Sequence, residues 1–268
     1  MSLNLSKLKF PLLSLVKKAG QAIKKIHEQY PNYTLTFKSD HSPLTQADLK
    51  AHQILTDGLR ELTPDLPILS EEGIDIPWEE RQQWTQYWLI DPLDGTRQFV
   101  DHQHEFTVNV ALIQHGAPVI GILYVPMTQE IYYACEAWQG AYKQDLNDHV
   151  IAVNTRLWKK NQTLLLTSRT AQTDKIKRLF EPLGAYMQLK MSSAWKFAWL
   201  AEGKADISPR LGDTYEWDTA AGQCILELAG GALLDFQGRP LRYNTKSSLI
   251  NPHFIGLGDV GQLFPLLF

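Results

Sequence analysis

The sequence is poor in the features that mark several classes of protein. Its 268 residues include only two cysteines, Cys135 and Cys224, which are far apart and form neither a CxxC pair nor the spacing of a zinc site. Two buried free thiols in a reducing compartment are therefore expected, rather than a disulfide framework. No apolar run reaches the roughly 18 residues that span a bilayer. The net charge of −3 gives no indication of a basic face, so no nucleic-acid partner is expected.

The N-terminal segment is not typical of a signal peptide, because it has no continuous apolar core followed by a small-residue cleavage site. Apolar residues between Leu8 and Ile26 instead recur at close to the helical period. Four lysines lie on the opposite side, namely Lys17, Lys18, Lys24 and Lys25. A helix docked on the core is favoured, and weak attachment to an anionic membrane surface is the alternative. We expect a cytoplasmic protein, with peripheral association on the cytoplasmic face of the inner membrane as the second option.

The pattern of apolar residues changes part-way along the chain. Strand patterns follow one another closely between residues 106 and 153, which predicts an antiparallel meander. After about residue 155, strand and helix patterns alternate, which is typical of α/β structure. We therefore predict an α+β fold with an antiparallel-rich lobe over 1–155, carrying most candidate ligands, and an α/β lobe over 156–268. The predicted helices are 8–26, 45–62, 172–181, 193–202 and 218–229, and the predicted strands are 67–70, 87–90, 106–113, 119–125, 130–135, 149–153, 164–166, 185–189 and 205–208.

Four acidic residues lie where a predicted strand or helix begins or ends, and such positions project side chains into a shared crevice in α/β proteins. They are Glu71, Asp91, Asp94 and Asp218, with Asp48 as a further candidate. Mg²⁺ prefers oxygen ligands and sites that leave room for water and phosphate. This set of carboxylates therefore predicts a magnesium site.

The segment from Asp91 to Thr96 suits a metal loop. Pro92 stiffens the backbone directly after a strand, and the Leu93 carbonyl is a plausible further ligand. Gly95 allows close backbone approach to an anion, and the free N–H groups of a helical turn opening there would favour phosphate. Each acidic position also has a simpler interpretation: Glu71-Glu72 can be a solvated acidic pair, and Asp48 can be an ordinary residue of a helix. Asp-Pro-x-Asp-Gly can be a turn, and Asp218 can be a helix cap.

Three motifs occur in order along the chain: Glu71-Glu72, Asp91 to Thr96, and Trp217 to Gly222. Together they resemble the lithium-sensitive phosphatase superfamily, which includes inositol monophosphatases, fructose-1,6-bisphosphatases and bisphosphate nucleotidases. The resemblance implies a layered αβαβα sandwich. It covers nearly the whole chain and looks closest to the bacterial 3'(2'),5'-bisphosphate nucleotidases. Further matching stretches are 42–48, 105–113, 192–197, 201–203 and 209–210.

This resemblance implies two Mg²⁺ ions, or three. Glu71, Asp91 and the Leu93 carbonyl would hold one ion, Asp91, Asp94 and Asp218 a second, and a looser third would lie near Glu71. A metal-activated water, deprotonated with help from the catalytic residues Glu71 and Thr96, would attack phosphorus in line. Asp48 would steer this network. The resemblance also implies lithium inhibition.

The implied reaction is removal of the 3'-phosphate of adenosine 3',5'-bisphosphate to give AMP, with the 5'-phosphosulfate analogue as a further substrate. The substrate-binding residues would be Gly95, Thr96, Ser193, Lys196, Arg210 and Asp218, with Arg169 as a weaker candidate. A cation is needed for the uncleaved phosphate, and guanidinium pairs with phosphate bidentately. The alternatives are an inositol monophosphatase and a catalytically silent nucleotide-binding protein. The family contains dimers, so a homodimer is also considered.

Two features depart from the pattern or attract attention without fitting it. Met191 stands where these nucleotidases usually carry glycine before the serine pair, which puts close backbone approach there in question. His102 and His104 lie just beyond the metal loop, and we interpret them as loop residues. Imidazole suits softer metals than Mg²⁺.

Overall fold

Eight α-helices and fourteen β-strands lie in residues 3–29, 35–37, 43–169, 171 and 173–268, which are the residues that the computed structural model describes. The helices are α1 (Leu5–His27), α2 (Gln46–Leu62), α3 (Trp78–Arg81), α4 (Thr96–Val100), α5 (Thr173–Leu179), α6 (Trp195–Ala201), α7 (Glu216–Leu228) and α8 (Val260–Leu267). The strands are β1 (Leu35–Phe37), β2 (Pro43–Thr45), β3 (Ile68–Ser70), β4 (Gln86–Asp94), β5 (Thr107–Gln114), β6 (Ala117–Val125), β7 (Glu130–Cys135), β8 (Gly140–Gln144), β9 (Val150–Ala152), β10 (Thr163–Thr167), β11 (Tyr186–Lys190), β12 (Ile207–Arg210), β13 (Ala232–Asp235) and β14 (Phe254–Leu257).

Seven strands form the first sheet, in the order β3-β4-β5-β6-β7-β8-β9. Only β3 and β4 pair in parallel, and every other neighbouring pair is antiparallel. The predicted meander is therefore confirmed. Sequence reasoning missed β8, because the residues around Gly140 were interpreted as a separator between strands.

The two long helices cover one face of this sheet. Helix α1 buries Leu12, Val16 and Ile23 along one side, as its periodicity predicted, and packs against α2 and the first sheet. Each such aliphatic side chain contributes roughly 1.5–3 kcal/mol when it is fully buried. The interpretation of α1 as a helix docked on the core is confirmed. None of the helices in the described ranges combines the length and the apolar character that crossing a membrane requires.

The second sheet has five strands in the order β11-β10-β12-β14-β13. Strand β10 pairs in parallel with β11 and β12, whereas β14 pairs antiparallel with β12 and β13. The predicted α/β alternation thus describes the first three strands. Strands β13 and β14 and helix α8 were missed, since their apolar runs are only four to eight residues long.

Helices α6 and α7 lie between the two sheets. One core cluster contains Leu89 and Leu123 of the first sheet, Ala198 and Ile225 of the two helices, and Phe254 of the second sheet. A Cβ at Gly121 would lie 2.4 Å from the Ala221 carbonyl oxygen, so glycine is what lets α7 approach β6. Helices α5 and α8 pack on the outer face of the second sheet. The layers therefore run helix, sheet, helix, sheet, helix, which confirms the αβαβα sandwich.

Both cysteines are buried free thiols, as predicted, and Cys224 lies inside α7. The two sheets fall on either side of the boundary proposed near residue 155, and the division into two lobes stays a prediction. Gln172 at the start of the predicted helix 172–181, and Ser42 in the matching stretch 42–48, lie outside the described residues.

Candidate metal centre and substrate pocket

The predicted metal loop follows directly from the end of β4. Asp91 is 1% exposed, and its Oδ1 accepts a hydrogen bond of 3.0 Å from the Leu93 backbone N–H. The pairing register between β4 and β5 shifts between Asp91 and Asp94. In a regular strand, residues three apart point to opposite faces, whereas such an irregularity re-aims a side chain. The shift therefore lets both carboxylates serve one crevice.

Carboxylates from three separate elements meet at this crevice. Oxygen atoms of Glu71, Asp91 and Asp218 all lie within 4.8 Å of one another. Glu71 follows β3, which pairs in parallel with β4, so both strands deliver their ends to the same edge. Asp218 comes from the first turn of α7. Strand ends and a helix start thus converge as the sequence predicted, and hard oxygen ligands grouped in this way suit Mg²⁺.

The helix-cap interpretation of Asp218 is also correct. Its Oδ2 accepts a hydrogen bond of 2.9 Å from the backbone N–H of Tyr215, the residue that precedes the first turn of α7. The cap fixes the side chain in the first turn of the helix. Capping and metal binding are therefore compatible at this residue, because the cap orients the carboxylate that faces Glu71 and Asp91.

The negative charges of these carboxylates are buried and close together, and no nearby cation fully offsets them among the described residues. Burial is the main cause that raises the pKa of Asp91 well above its usual value, and the charges of Glu71, Asp94 and Asp218 raise it further. Burial and then the charges of Asp94 and Glu71 likewise raise the pKa of Asp218 well above its usual value. Carboxylates that share a site cannot all ionise without a cation. A divalent ion would relieve this repulsion, so the residues fit the metal that they predict.

Asp94 lies beside this group rather than within it. Its Oδ2 accepts hydrogen bonds from the Ala194 backbone N–H at 2.5 Å and from Asn109 Nδ2 at 3.4 Å. Burial raises its pKa, whereas the Lys196 charge and these hydrogen bonds lower it. Asp94 therefore connects the metal loop with the segment that leads into α6.

Thr96, Asp48 and Thr45 form a buried hydrogen-bond network behind the metal loop. Thr96 Oγ1 lies 3.0 Å from Asp48 Oδ1 and 3.1 Å from the Leu93 carbonyl oxygen. Asp48 Oδ2 accepts from the Thr45 backbone N–H at 2.8 Å and from the Thr45 hydroxyl at 2.6 Å. Burial raises the pKa of Asp48, and these donors lower it. The structure thus places Asp48 in contact with Thr96, as its predicted steering role requires.

A cavity of about 260 Å³ opens beside the carboxylates. Its wall includes the predicted metal ligand Asp94, the weaker candidate Arg169 and five of the six predicted substrate residues, all but Thr96: Gly95, Ser193, Lys196, Arg210 and Asp218. Gly95 has φ +100°, and a Cβ there would lie 2.9 Å from the Glu105 carbonyl oxygen. Only glycine suits both the backbone conformation and the space. Helix α4 begins directly afterwards at Thr96, so the predicted helical turn is present.

The three candidate cations differ in their partners. Lys196 Nζ donates to the Ser193 carbonyl at 2.6 Å, and burial lowers its pKa to about 8. Arg210 donates to the backbone carbonyls of Gly212 at 3.1 Å and Asp213 at 2.6 Å. Both of those acceptors are neutral. Arg169 instead forms an ion pair of 2.8 Å with Glu105, so its charge is largely compensated in this conformation.

A family model described as the inositol monophosphatase family matches residues 4–258. The chain belongs to the inositol monophosphatase family. It is 41% identical over 241 residues to the 3'(2'),5'-bisphosphate nucleotidase CysQ of Escherichia coli K12, which covers 90% of this chain and 95% of that protein. It is 37% identical over 245 residues to the nucleotidase of the same name from Aggregatibacter actinomycetemcomitans, covering 91% and 90% of the two chains.

Two solved structures of the inositol monophosphatase type resemble the fold. The crystal structure of CysQ from Bacteroides thetaiotaomicron matches with a TM-score of 0.82 and 35% identity over 96% of this chain and 99% of that one. The inositol monophosphatase of Thermotoga maritima matches with a TM-score of 0.75 and 23% identity over 98% and 96%, which shows the fold alone. The predicted superfamily, the resemblance to bacterial bisphosphate nucleotidases and the prediction of a phosphatase-class enzyme are confirmed.

The departure at Met191 from the usual pattern of these nucleotidases has a packing explanation. Met191 is 4% exposed and packs in a core cluster with Leu166 and Leu200, and it does not line the cavity. Ser193 has φ +55°, and its Oγ accepts a hydrogen bond of 3.3 Å from the Trp195 N–H. The segment therefore turns sharply at Ser193, so a methionine before the serine pair leaves the cavity open.

Sequence reasoning missed two polar residues beside the site. Asn109 is buried and contacts Asp94, and Glu105 contacts Arg169 and the Ser192 backbone N–H. The signal for Asn109 was visible, because it is a polar residue within an apolar strand. Glu105 opens the matching stretch 105–113, but nothing in the sequence indicated its contacts at the site. His102 and His104 lie in the loop after α4, as predicted, and the His102 ring stacks on that of His27.

Proposed function

We propose that the chain hydrolyses the 3'-phosphate of adenosine 3',5'-bisphosphate in a Mg²⁺-dependent reaction. The observation that carries this proposal is the meeting of the Glu71, Asp91 and Asp218 carboxylates at the edge of a cavity lined by Lys196 and Arg210. Relatives that are 35–41% identical over about nine-tenths of the chain are 3'(2'),5'-bisphosphate nucleotidases, which supports the choice of substrate. In the reaction, water oxygen bonds to phosphorus, the P–O3' bond breaks and O3' takes a proton, which gives AMP and inorganic phosphate.

In this proposal Glu71, Asp91 and the Leu93 carbonyl would hold one Mg²⁺, and Asp91, Asp94 and Asp218 would hold a second. A third ion would be bound more loosely near Glu71. Bound ions would supply charge stabilisation at the phosphate and would lower the pKa of a water molecule. The cluster of incompletely compensated carboxylates supports two divalent ions better than none, since each ion offsets repulsion among buried charges.

Thr96 and Glu71 would help to deprotonate the attacking water: the Thr96 hydroxyl oxygen would accept a hydrogen bond that orients the water, and the Glu71 carboxylate would receive its proton. The Thr96 hydroxyl carries one proton, and donation of that proton to Asp48 Oδ1 at 3.0 Å leaves its lone pairs as acceptors. Asp48 is held in turn by the two donors of Thr45. Asp48 would therefore act through Thr96, by fixing which way the hydroxyl points.

The uncleaved 5'-phosphate would be bound by Arg210 and Lys196. The Arg210 guanidinium bonds only to the neutral carbonyls of Gly212 and Asp213 among its described hydrogen-bond partners, so it retains charge for a phosphate. Gly95, Thr96, Ser193 and Asp218 would contact the scissile phosphate and the ribose. The same pair of cations would accept the 5'-phosphosulfate analogue, which we propose as a further substrate.

Phosphate release across a small panel of substrates tests this function. The full-length chain is assayed with adenosine 3',5'-bisphosphate, its 5'-phosphosulfate analogue and inositol 1-phosphate, with and without Mg²⁺ and Li⁺. We expect Mg²⁺-dependent, Li⁺-inhibited release with preference for the nucleotides. Equal or better turnover of inositol 1-phosphate would identify an inositol monophosphatase. Binding of the nucleotide without phosphate release would identify a silent binding protein.

Asp91→Asn tests the metal assignment. Because Asp91 is proposed to contact both ions, we expect the variant to lose at least ~10³-fold in kcat while it remains folded. Circular dichroism and thermal unfolding check the fold. Asp148→Asn, at an exposed ion pair with Lys17, is the matched control and keeps full activity. Phosphate release by a folded Asp91→Asn variant at the wild-type rate would refute the metal centre.

Two proposals about association rest on the sequence. The exposed lysines of α1, Lys18 and Lys25, would provide the weak attraction to an anionic membrane surface, while the apolar side of the helix stays docked on the core. Sedimentation with vesicles containing anionic lipid tests this attachment, and loss of binding in salt is expected. A homodimer is tested by light scattering of the purified chain.

A further inference from the structure

Glu105 lies at the point where the metal loop meets the segment leading into α6. Its backbone carbonyl packs against Gly95, where an added Cβ would be only 2.9 Å away. Its side chain extends in the other direction. Oε1 accepts from Arg169 Nη2 at 2.8 Å, and Oε2 accepts from the Ser192 backbone N–H at 2.9 Å. One residue thus contacts the metal loop, the end of β10 and the end of β11.

The Ser192–Ala194 segment is held by two carboxylates at once. The Ser192 N–H bonds to Glu105, and two residues later the Ala194 N–H bonds to Asp94 at 2.5 Å. Between them Ser193 has φ +55°, so the backbone turns and presents both N–H groups. Ser192 and Ala194 are 8% and 1% exposed. A buried N–H without an acceptor is costly, so removal of Glu105 is expected to displace this segment.

The ion pair with Arg169 determines what that arginine can do. The Arg169 and Glu105 side chains are 43% and 24% exposed, and an exposed pair of this kind contributes little to overall stability. A phosphate would have to compete with Glu105 for the guanidinium, whereas Arg210 bonds only to neutral carbonyls among its described partners. Arg210 is therefore available to bind phosphate, whereas Arg169 is occupied by Glu105.

We propose that Glu105 and Arg169 are positioning residues that act as one unit, in which Arg169 orients Glu105 and Glu105 holds the Ser192–Ala194 segment against the metal loop. Arg169 contacts no phosphate of the substrate in this arrangement. The segment carries Ser193 and leads to Lys196 on α6. The Glu105–Arg169 pair, which we call the clamp, therefore sets the geometry of the site for the uncleaved phosphate. This inference rests on the proposed function for its kinetic readout, but not for its structural one.

Steady-state kinetics of the full-length chain test the coupling. The variants are Glu105→Ala, Arg169→Ala and the double substitution, each assayed with adenosine 3',5'-bisphosphate and with 3'-AMP, which lacks the second phosphate. We expect each single variant to raise KM for the bisphosphate by roughly tenfold, the scale of one hydrogen bond to a charged group. The double variant should be no worse than either single one. KM for 3'-AMP and kcat should change much less.

Two further variants test whether the rise in KM comes from the loss of the Glu105 hydrogen bond. Glu105→Gln keeps an oxygen that can accept from the Ser192 N–H, so it should recover part of the KM that Glu105→Ala loses. Asp148→Asn removes half of the exposed ion pair with Lys17, remote from the cavity, and should leave both KM values unchanged. A purely structural role would lower thermal stability without separating the bisphosphate from 3'-AMP.

Opposite outcomes overturn the inference. If Arg169 binds phosphate directly, Arg169→Ala raises KM while Glu105→Ala lowers it, because the glutamate then competes with substrate. Multiplicative effects in the double variant would also refute a single unit.

Hydrogen–deuterium exchange gives the readout that is independent of activity. The amides of residues 190–196 should exchange faster in Glu105→Ala and Arg169→Ala than in the wild-type protein, and unchanged exchange contradicts the clamp. Absence of phosphate release by the wild-type chain would contradict the proposed function and leave this exchange result standing.

Discussion

The positive charge that Lys196 contributes to the cavity wall depends on pH. Burial, with the charge of Arg210, lowers its pKa to about 8, against the raising effects of Asp94, Asp218 and Glu105. The amine is therefore charged below about pH 8 and loses its charge as pH rises through that value. Bound Mg²⁺ would offset the charges of Asp94 and Asp218, so it would lower the pKa of Lys196 rather than raise it.

We predict that kcat/KM for adenosine 3',5'-bisphosphate falls as pH rises, with a midpoint at or below about pH 8 when Mg²⁺ is bound, because the neutral amine no longer attracts phosphate. Lys196→Arg keeps its charge and should show a flatter profile over the same range. Lys196→Met should have a low kcat/KM at every pH. The measurement is a pH series of initial rates at fixed Mg²⁺, and superimposable profiles for the wild-type protein and Lys196→Arg would exclude this role.

Comparison of Gly95 with Gly140 separates the effect of an unfavourable backbone conformation from the effect of a steric clash. Gly95 has φ +100° and a carbonyl oxygen 2.9 Å from where a Cβ would lie. Gly140 has φ +131° and no atom within 4 Å of the same position. Both substitutions by alanine carry a conformational cost of about 1–3 kcal/mol. Only Gly95→Ala also forces the metal loop away from Glu105.

We therefore predict that Gly95→Ala loses most of its phosphatase activity, whereas Gly140→Ala keeps wild-type kcat and KM. Thermal unfolding of both variants shows whether their stabilities fall by similar amounts. If Gly140→Ala were as inactive as Gly95→Ala, the contact with Glu105 would not be the cause.

At the scale of secondary-structure elements, the end of α1 is joined to the loop after α4 by a cluster of rings. His27 stacks on His102 with ring centroids 4.2 Å apart, and it also contacts His104, Phe99 and Phe106. It is 1% exposed, and its buried Nε2 has no hydrogen-bond partner among the residues that the structure describes. Burial, aided by the charges of the two other histidines, lowers the pKa of His27 to about 4, although hydrogen bonding of the imidazole to the Gln103 backbone and the charge of Glu28 raise it.

The sign of the pH effect on stability follows from this shift. In the unfolded chain a histidine titrates near 6.5, and in the folded protein His27 titrates near 4. The unfolded state therefore takes up a proton first as pH falls. The contribution of His27 is fully present above pH 6.5 and is lost as pH falls towards 4. The loss between pH 7.5 and 4.5 amounts to about 2 kcal/mol.

We predict that His27→Phe, which keeps a ring but has no proton to bind, lowers the pH dependence of the free energy of unfolding by that amount. Urea denaturation at pH 7.5 and at pH 4.5 measures it. His253→Gln, at an exposed histidine, should leave the dependence unchanged. An unaltered slope in His27→Phe would show that other groups cause the acid sensitivity.

Periodicity and turn residues were sufficient to predict the long elements of the fold. Helix α1 buries eight residues that recur at the helical period. Strands β5, β6 and β7 pair with one another along nearly their whole length. In both cases the local sequence pattern agrees with the tertiary structure. Strands β13 and β14 have four residues each, and they are held by pairing with each other and, for β14, with β12. Such short strands carry too little periodic signal to be recognised before their partners are known.

The convergence of the acidic residues could be predicted because each of them lies next to the end of a recognisable strand or the start of a recognisable helix. Glu71, Asp91 and Asp218 lie at the ends of elements, where sequence position determines which edge they reach. The roles of hydrogen-bonded neighbours were not accessible in this way. Glu105 contacts Arg169, which is 64 residues away, and Ser192, which is 87 residues away. Contacts between such distant residues depend on how the two sheets pack.

At the scale of the whole molecule, a buried network joins the segment after Glu71 to the helix that carries Asp218. Arg81 of α3 is 3% exposed and donates to the Asn244 side chain at 2.6 Å and to the carbonyls of Lys246 and Ser247. The Asn244 backbone N–H donates to Glu216 Oε2 at 2.7 Å, in the first turn of α7. Two segments that carry candidate metal ligands and are far apart in sequence are thus joined through Arg81 and Asn244.

We predict that Arg81→Met lowers the free energy of unfolding by about 3 kcal/mol, because it leaves the acceptors of the 244–247 loop without their donor and removes one of the two cations near buried Glu216. It should also raise the Mg²⁺ concentration for half-maximal activity, since Glu71 and Asp218 are held together less firmly. Urea denaturation and Mg²⁺ titration of the phosphatase rate measure the two effects.

Arg156→Met is the matched control for this network. Arg156 pairs with buried Asp206 through two hydrogen bonds of 2.8 Å and 2.6 Å, between segments that carry no candidate metal ligand. It should lose comparable stability and keep the wild-type Mg²⁺ requirement. A similar shift in Mg²⁺ requirement in both variants would trace that shift to general loosening of the fold. A shift in Arg81→Met alone shows that the arginine sets the spacing of the carboxylates.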